Sequence, residues 1–431
     1  MNSLFLCDNA GGLFDLLWAL DNDINTFEDQ ARLFEMEGFG ALANLAGSGT
    51  AFNLDFGDNQ ILHAPRLRVE NVMFHPRNPN QTGSHYFNRG IVADHAWHAR
   101  FSDCWFAGPY GPNADNVYAS ECAIQLTGRS FLPCFDNVAI WSANTGIRLN
   151  NDTPDSTDVA EGFMVSNCNI INAQFGFQKH TNSVQPQGSI MGGHINARTT
   201  GIDLTNQSSV IIGGGLLLWG SAAESQSSDG TYRDIHLKGC RDCQVQGVNT
   251  EFRNNTSLDY IGVQIASSSL TSSDWNTVAG NHFRDRDNAV RVNSGQIKNH
   301  ILDNVFGRDS NTGSRIATPI LSDSISTVIR LSNDTETDVR AVSGGDTLTP
   351  DVGIIIMNPS SAVTLDTTIA IADGLNGQVL RLYNSSTQND VTVPDNANTI
   401  LKDRTNKTVS RDGGLMLRYL ADFGKWVQED L

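Results

Sequence analysis

A six-residue phrase recurs along the chain: an apolar residue, any residue, then Asn, Asp or Gly, two further residues and, in all but one copy, a closing apolar residue. The copies start at Val69, Phe101, Phe135, Val165, Ile190, Ile211, Val245, Val278 and Ile301. Their spacing of about 20 to 35 residues is typical of stacked repeats. A unit of this size cannot bury its own apolar face, so the pattern predicts units that stack around one core.

A second phrase follows four of these copies at a constant offset and consists of a small residue, an apolar residue, any residue and another apolar residue. It begins at Gly146, Gly176, Gly201 and Ala289. The alternation of apolar positions is strand periodicity, and Asn, Asp and Gly occupy the places where turns are needed. No helical period of useful length occurs between residues 50 and 330. We therefore predict an all-β protein in which residues 51–342 form a right-handed parallel β-helix.

The flanking segments differ from this repeat. Residues 1–50 contain apolar positions from Leu13 to Phe27 that favour a short amphipathic helix or a cap, able to dock a partner. The repeat is lost after Ser343-Gly-Gly-Asp346, and residues 343–431 contain short strand-like runs separated by turn residues. This part is predicted to be a separate β-sandwich that serves in trimerisation or carbohydrate binding.

The C-terminal segment also carries a more specific pattern. Gly377-Gln-Val-Leu-Arg-Leu-Tyr-Asn384 is followed by Val391-Thr-Val393, by Gly414-Leu-Met-Leu-Arg-Tyr419 and by Trp426. Together with the repeat, this pattern resembles bacteriophage tailspikes and tail-fibre proteins of the parallel β-helix class, which include polysaccharide depolymerases. The resemblance covers roughly residues 50–431 and implies a homotrimer located in the virion and working outside the cell. Residues 1–50 resemble no known particle-binding domain, and we expect this segment to contact phage tail or baseplate proteins.

The composition of the chain limits the classes of partner that it can bind. The formal net charge of −18 disfavours nucleic acid and anionic lipid surfaces. No apolar run is long enough to insert in a membrane, and the N-terminus lacks the basic start of a signal peptide. The seven cysteines are scattered, so we expect buried thiols and no disulfide framework. No motif for a metal or another cofactor is found, and none is expected.

Candidate substrate-binding residues are those expected on the outer face of the repeats. They are Trp105, Trp141, Arg148, Gln178, His194 and Trp219. Aromatic rings stack on sugar faces, while amide and guanidinium groups bond to hydroxyls, so this set favours polysaccharide. The alternative is that such faces are polar in any case and that the tryptophans are covered by loops or by a neighbouring subunit.

Candidate catalytic acids cluster in the central repeats. They are Asp203, Glu224, Asp234 and Glu251. Hydrolysis of a glycosidic bond needs two carboxyl groups about 5–9.5 Å apart, and strands about 4.8 Å apart can present such a pair. Each acid taken alone could instead be a solvated turn residue. Elimination would need a base and a cation, for which Lys179, His180, His194, Arg198 and Tyr232 are candidates.

Three functions are compatible with these patterns. The first is a phage receptor-binding protein that binds, and also cleaves, a bacterial surface polysaccharide, with hydrolysis favoured over elimination. The second is an adhesive or structural tail protein without activity. The third is a free polysaccharide lyase or hydrolase, against which the missing signal peptide and the tail-like C-terminal pattern both count. Fold alone does not separate the first two.

Overall fold

The computed structural model describes residues 3–8, 11–17, 33–56, 66–77, 85–109, 119–128, 130–150, 162–220, 229–253, 258–307, 320–322, 327–330, 337–350, 353–374, 378–386, 388–411, 413–420 and 423–429. These residues form strands and no α-helix, with one 3-10 turn at Lys402–Arg404. The all-β prediction is confirmed. None of the described segments is a helix long and apolar enough to cross a membrane.

Twenty-nine strands belong to one large parallel sheet. They are β1 (Ser3–Cys7), β2 (Phe14–Leu17), β3 (Leu33–Glu37), β4 (Phe39–Ala43), β5 (Thr50–Asp55), β6 (Arg66–Glu70), β7 (Met73–Pro76), β8 (Arg89–Asp94), β9 (Trp97–Ser102), β10 (Trp105–Ala107), β11 (Cys122–Thr127), β12 (Cys134–Asp136), β13 (Ala139–Trp141), β14 (Thr145–Asn150), β15 (Met164–Ser166), β16 (Asn169–Met191), β17 (His194–Gly213), β18 (Leu217–Gly220), β19 (Thr231–Lys238), β20 (Gln244–Gln246), β21 (Asn249–Arg253), β22 (Asp259–Ala266), β23 (Thr277–Ala279), β24 (His282–Phe283), β25 (Asn288–Val292), β26 (His300–Leu302), β27 (Val305–Phe306), β28 (Ile320–Ser322) and β29 (Val328–Arg330).

From β1 to β13 and from β18 to β26, each strand pairs in parallel with the strand three places further along the chain, which divides the sheet into three ladders. The first ladder contains β12 and β15, the second contains β10 and β13, and the third contains β11 and β14. The long strands β16 and β17 contribute a segment to every ladder. This pairing is compatible with the predicted parallel β-helix.

The turn between the first and second ladders explains the six-residue phrase. The third residue of every copy has a positive φ, in the left-handed region that Gly, Asn and Asp tolerate best. These residues are Asn71, Asp103, Asn137, Asn167, Gly192, Gly214, Gly247, Gly280 and Asp303. The sixth copy starts at Ile212 and not at Ile211, because Ile212 pairs with Val245 and Ile211 faces outward.

The N-terminal segment belongs to the same sheet. Strand β2 pairs with β5, and β1 pairs with β4. The helical alternative for residues 1–50 is therefore wrong for the described residues, because Phe14 and Leu16 alternate with a period of two opposite Phe52 and Leu54. A further copy of the phrase begins at Met36, with Gly38 at the positive-φ position.

The interior of the parallel sheet is one continuous apolar cluster. The apolar residues that close the six-residue phrase are expected to point inward, and on the second ladder they are buried and in register: Phe74, Phe106, Ile140, Ile170, Ile195, Phe283 and Phe306. Leu218 and Thr250 complete the row between Ile195 and Phe283. The predicted stack is confirmed, with one polar member.

A row of small residues runs along the third ladder, because a larger side chain at these positions would collide with the stacked apolar side chains of the second ladder. A Cβ atom at Gly176, for example, would lie 2.4 Å from Cγ2 of Ile195. Register pairing places these residues in the row: Ala51, Gly90, Ala123, Gly146, Gly176, Gly201, Asp234, Gly262 and Ala289. Asp234 is the exception.

Buried asparagines close the turns of the last repeats. Asn276 accepts from the backbone of Cys243, and Asn281 does so from Val248. Asn299 and Asn304 repeat the pattern one repeat later. Each amide therefore satisfies backbone groups that the turn leaves without a ladder partner.

All seven cysteines are free thiols and only Cys134 is partly exposed, so the prediction of buried cysteines holds for the rest.

The C-terminal part is a separate pair of sheets. A mixed sheet contains β30 (Thr337–Val342), β31 (Ile354–Pro359), β33 (Val379–Asn384), β35 (Thr399–Ile400), β37 (Gly414–Leu420) and β38 (Lys425–Glu429). A smaller one contains β32 (Val363–Thr364), β34 (Val391–Val393) and β36 (Lys407–Val409). Both sheets contribute to one apolar cluster around the buried Trp426, as a sandwich requires.

Candidate functional site

Aromatic side chains occupy the outer face of the second ladder in two groups. In the first group, the rings of Trp105 and Trp141 lie 6.5 Å apart, and that of His75 lies 5.5 Å from Trp105. Trp141 is 40% exposed. Three rings on consecutive strands, spaced by about 4.8 Å, form a surface on which successive sugar units could stack.

The second group lies further along the same ladder. The ring centres of His194 and Trp219 are 5.6 Å apart, and burial lowers the pKa of His194. Glu251 is the register partner of Trp219, so its carboxylate lies one strand away on the same face. Glu251 is 3.6 Å from Arg284, and both side chains are about half exposed. This group thus adds a carboxylate and a guanidinium to an aromatic surface.

The outer face of the third ladder is polar. Register pairing aligns one row there: Gln125, Arg148, Gln178, Asp203, His236, Gln264 and Arg291. Arg148 donates to Thr145 (2.9 Å), whose hydroxyl lies 3.3 Å from Oε1 of Gln178. The predicted binding residues Arg148 and Gln178 therefore lie together, but on a different ladder from the four aromatic ones.

Asp203 lies at the centre of this row and is nearly buried. It accepts a hydrogen bond from Nε2 of His180 (2.9 Å), and its Oδ1 is 3.5 Å from Nδ1 of His236 and 3.6 Å from Nζ of Lys238. Burial alone would raise the pKa of Asp203, but the hydrogen bond and charge of His180, helped by Lys238, lower it to about 2. Asp203 is therefore an anion at neutral pH.

His236, unlike the anionic Asp203, carries no charge in this cluster at neutral pH. Burial lowers the pKa of His236 from its ordinary 6.5 to about 3, although Asp203 acts in the other direction. The ring is therefore neutral when the chain is folded at neutral pH.

This shift predicts a pH-dependent stability. Between pH 6.5 and 3 the unfolded chain protonates His236 and the folded chain does not, so stability falls as pH falls through this window. We expect His236 to account for about 2 kcal/mol of the loss between pH 6.5 and about pH 5. Urea unfolding of the protein and of His236→Gln checks this, since Gln264 occupies the same row in the following strand, β22. An equally steep decline in the variant would contradict the assignment.

Asp234 is completely buried within the row of small residues. Arg286, also fully buried, donates from Nη2 to Asp234 Oδ1 (2.8 Å) and from Nε to Oδ2, while Tyr232 donates its hydroxyl to Oδ1 (3.0 Å). Burial alone would lower the pKa of Arg286, but Asp234 raises it. This arrangement favours a structural role for Asp234, because no substrate reaches it from solvent.

The predicted acids thus lie in different environments. Asp203 is on the third ladder, Asp234 is inside the sheet and Glu251 is on the second ladder, while Glu224 lies outside the described residues. Sequence reasoning missed His236, Lys238 and Arg286. The segment Asp234-Ile-His-Leu237 is a copy of the second phrase in which Asp replaces the small residue. Aligning it with Gly201-Ile-Asp-Leu204 would have placed His236 beside Asp203.

Within the described part of the chain, no group of three or more His, Cys, Asp or Glu side chains is arranged to hold a metal ion. No protein-family model matches the sequence, and neither a curated protein nor a solved structure is significantly similar to it. The chemistry of this chain must therefore be inferred from its own residues.

Proposed function

We propose that the chain is a right-handed parallel β-helix of the tailspike type, and that it binds a bacterial surface polysaccharide as a homotrimer on a phage tail. The observation that carries this proposal is the pair of aromatic groups on the outer face of the second ladder. Trp105 and Trp141, and then His194 and Trp219, recur on strands of one face with polar groups between them. Rings combined with amides and charged groups are the surface that sugars need.

Cleavage of the bound polysaccharide is the second candidate, and the cluster around Asp203 favours it. A nearly buried carboxylate that holds a histidine ring is a common way to orient a base. A purely adhesive protein would have no need of this cluster beyond stability. A free polysaccharide-degrading enzyme would share both surfaces, and the C-terminal pattern typical of phage tail proteins is what favours the virion.

The binding surface can be tested with two tryptophan variants. In a binding screen against purified bacterial surface polysaccharides, Trp141→Ala and Trp219→Ala should each weaken binding roughly three- to tenfold, the loss expected for one stacking ring. Trp275→Ala is the matched control, because Trp275 is 49% exposed but lies away from the second ladder, beside Lys298. Equal losses in all three variants, or no binding to any polysaccharide, would overturn the proposal.

A further inference from the structure

The carboxylate of Asp203 has bonding capacity that its neighbours do not fill. Its side chain is only 8% exposed, and Oδ1 has no hydrogen bond although His236 and Lys238 are 3.5 and 3.6 Å away. A buried anionic oxygen without a donor needs an explanation, because an unmet hydrogen bond in such a place is costly. A ligand hydroxyl or a water reaching Oδ1 would supply one.

The same carboxylate orients a more accessible ring. His180 donates from Nε2 to Asp203, and its side chain is 33% exposed. The two residues lie on adjacent strands of the third ladder, in rows two residues apart. Asp203 thus fixes which ring nitrogen of His180 carries the proton and favours a ring that accepts a second one at Nδ1.

The cations around this pair differ in availability. Arg148 is 17% exposed and lies 3.6 Å from Glu121. Arg233 is 13% exposed and forms one ion pair with Asp229 and a hydrogen bond with Gln264. Lys238 also lies near a carboxylate, with Nζ 3.6 Å from Oδ1 of Asp203, but its side chain is 31% exposed, more than that of either arginine. An ammonium group in this position can attract an external carboxylate in a protein whose net charge is −18.

We propose that His180, Asp203 and Lys238 form a site that cleaves a uronate-containing polysaccharide by elimination, an inference that rests on the proposed polysaccharide binding. Lys238 binds the uronate carboxylate. Nδ1 of His180 takes the proton from the carbon that bears this carboxylate, and the electron pair of that C–H bond forms a double bond to the next ring carbon. The glycosidic C–O bond at that next carbon breaks, and the departing oxygen takes a proton from water. His180 then returns its proton to the solvent.

The surroundings favour elimination over hydrolysis. Hydrolysis needs a second carboxyl group within about 9.5 Å, placed across the sugar. The described residues that flank Asp203 in its row are Gln178 and His236, and those of the next row are His180, Thr205 and Lys238. Among these described residues of the two rows there is one carboxylate beside two imidazoles and an ammonium, and a base with a nearby cation is what removal of a proton beside a carboxylate requires.

The test uses the full chain with alginate, polygalacturonate and hyaluronan as uronate polymers and dextran as a neutral control. Two quantities are measured: retention of the polymer by immobilised protein, and the near-ultraviolet absorbance of the unsaturated sugar that elimination leaves. We expect at least one uronate polymer to be bound and cleaved. His180→Gln should lower the rate about 100-fold or more, because it removes the base and keeps a donor toward Asp203. His300→Gln, on the first ladder, is the matched control and should leave the rate unchanged.

Two further variants separate positioning from binding. Asp203→Asn should lower kcat, because the ring of His180 loses its orienting carboxylate, while Lys238→Gln should raise KM more than it lowers kcat. Retention of a uronate polymer without new absorbance would overturn the elimination site and leave polysaccharide binding standing. Full activity in His180→Gln would also overturn it. Retention of none of the four polymers would count against the proposed function itself.

Discussion

Arg286→Met is expected to lower the free energy of unfolding by about 3–5 kcal/mol. Both Arg286 and Asp234 are fully buried, and the guanidinium is the partner of the Asp234 carboxylate. Removing it leaves the Asp234 carboxyl buried without its charged partner. Burial already raises the pKa of this carboxyl, so the group must either stay charged in an apolar surrounding or take up a proton, and both cost stability. It also removes the donors to the backbone oxygens of Asp285 (2.9 Å) and Glu251 (3.3 Å).

A double variant distinguishes a broken ion pair from lost packing. Asp234→Ala restores the small residue found at this position in the other repeats, and Met replaces much of the volume of the arginine stem. Asp234→Ala combined with Arg286→Met should therefore be more stable than Arg286→Met alone, because neither member of the buried ion pair remains. Arg284→Met is the control, since Arg284 is half exposed and its pair with Glu251 contributes little. Urea unfolding measures all four proteins, and equal costs for Arg286→Met and Arg284→Met would refute the argument.

The parallel sheet could be predicted from the sequence because every repeat has the same residue types at the same turn and on the strand that follows it. A positive φ at one turn restricts the residue to Gly, Asn or Asp, and alternating apolar residues follow on the next strand. Nine copies of a local rule make a strong signal even when each copy is weak. The copy at Met36 escaped notice because its closing residue is Ala41, the smallest apolar side chain.

The candidate sites were predicted less completely, since they depend on pairing between distant residues. Arg286 is 52 residues from Asp234, and no local pattern links them. Whether an outward residue lies on the second or the third ladder also depends on strand pairing. The pairing places Arg148 and Gln178 on the third ladder, away from the tryptophans. Only residues within a recognised phrase, such as Asp203, could be assigned to a face from the sequence.

The helix predicted near the N-terminus is wrong for its described residues, 13–17, for a related reason. Closely spaced apolar residues such as Leu13, Phe14, Leu16 and Leu17 satisfy a helical stripe and a strand equally well over so short a length. Pairing of β2 with β5 decides the outcome, because the edge of a growing parallel sheet offers hydrogen bonds to the backbone of an extended segment. Tertiary pairing thus overrides a local pattern that is ambiguous.

Register itself is open to a direct test with two adjacent isoleucines. Ile212→Ala should lower the free energy of unfolding by about 2–5 kcal/mol, because Ile212 is fully buried between Ile190 and Val245 and its neighbours are held by sheet pairing on both sides. Backbone pairing prevents the repeats from closing over the missing side chain. A cavity therefore remains, and the cost should lie in the upper part of the range for such substitutions.

Ile211→Ala is the matched control, because it removes the same atoms one residue earlier. Ile211 is 44% exposed on the outer face of the first ladder, so its replacement should cost less than about 1 kcal/mol. A shift of register by one residue would exchange the two side chains between core and solvent, and the costs would then be reversed. Urea unfolding of the two variants therefore reports which isoleucine begins the sixth repeat. Equal costs would mean that the strand does not hold a single register, since a fixed register places only one of two adjacent side chains in the core.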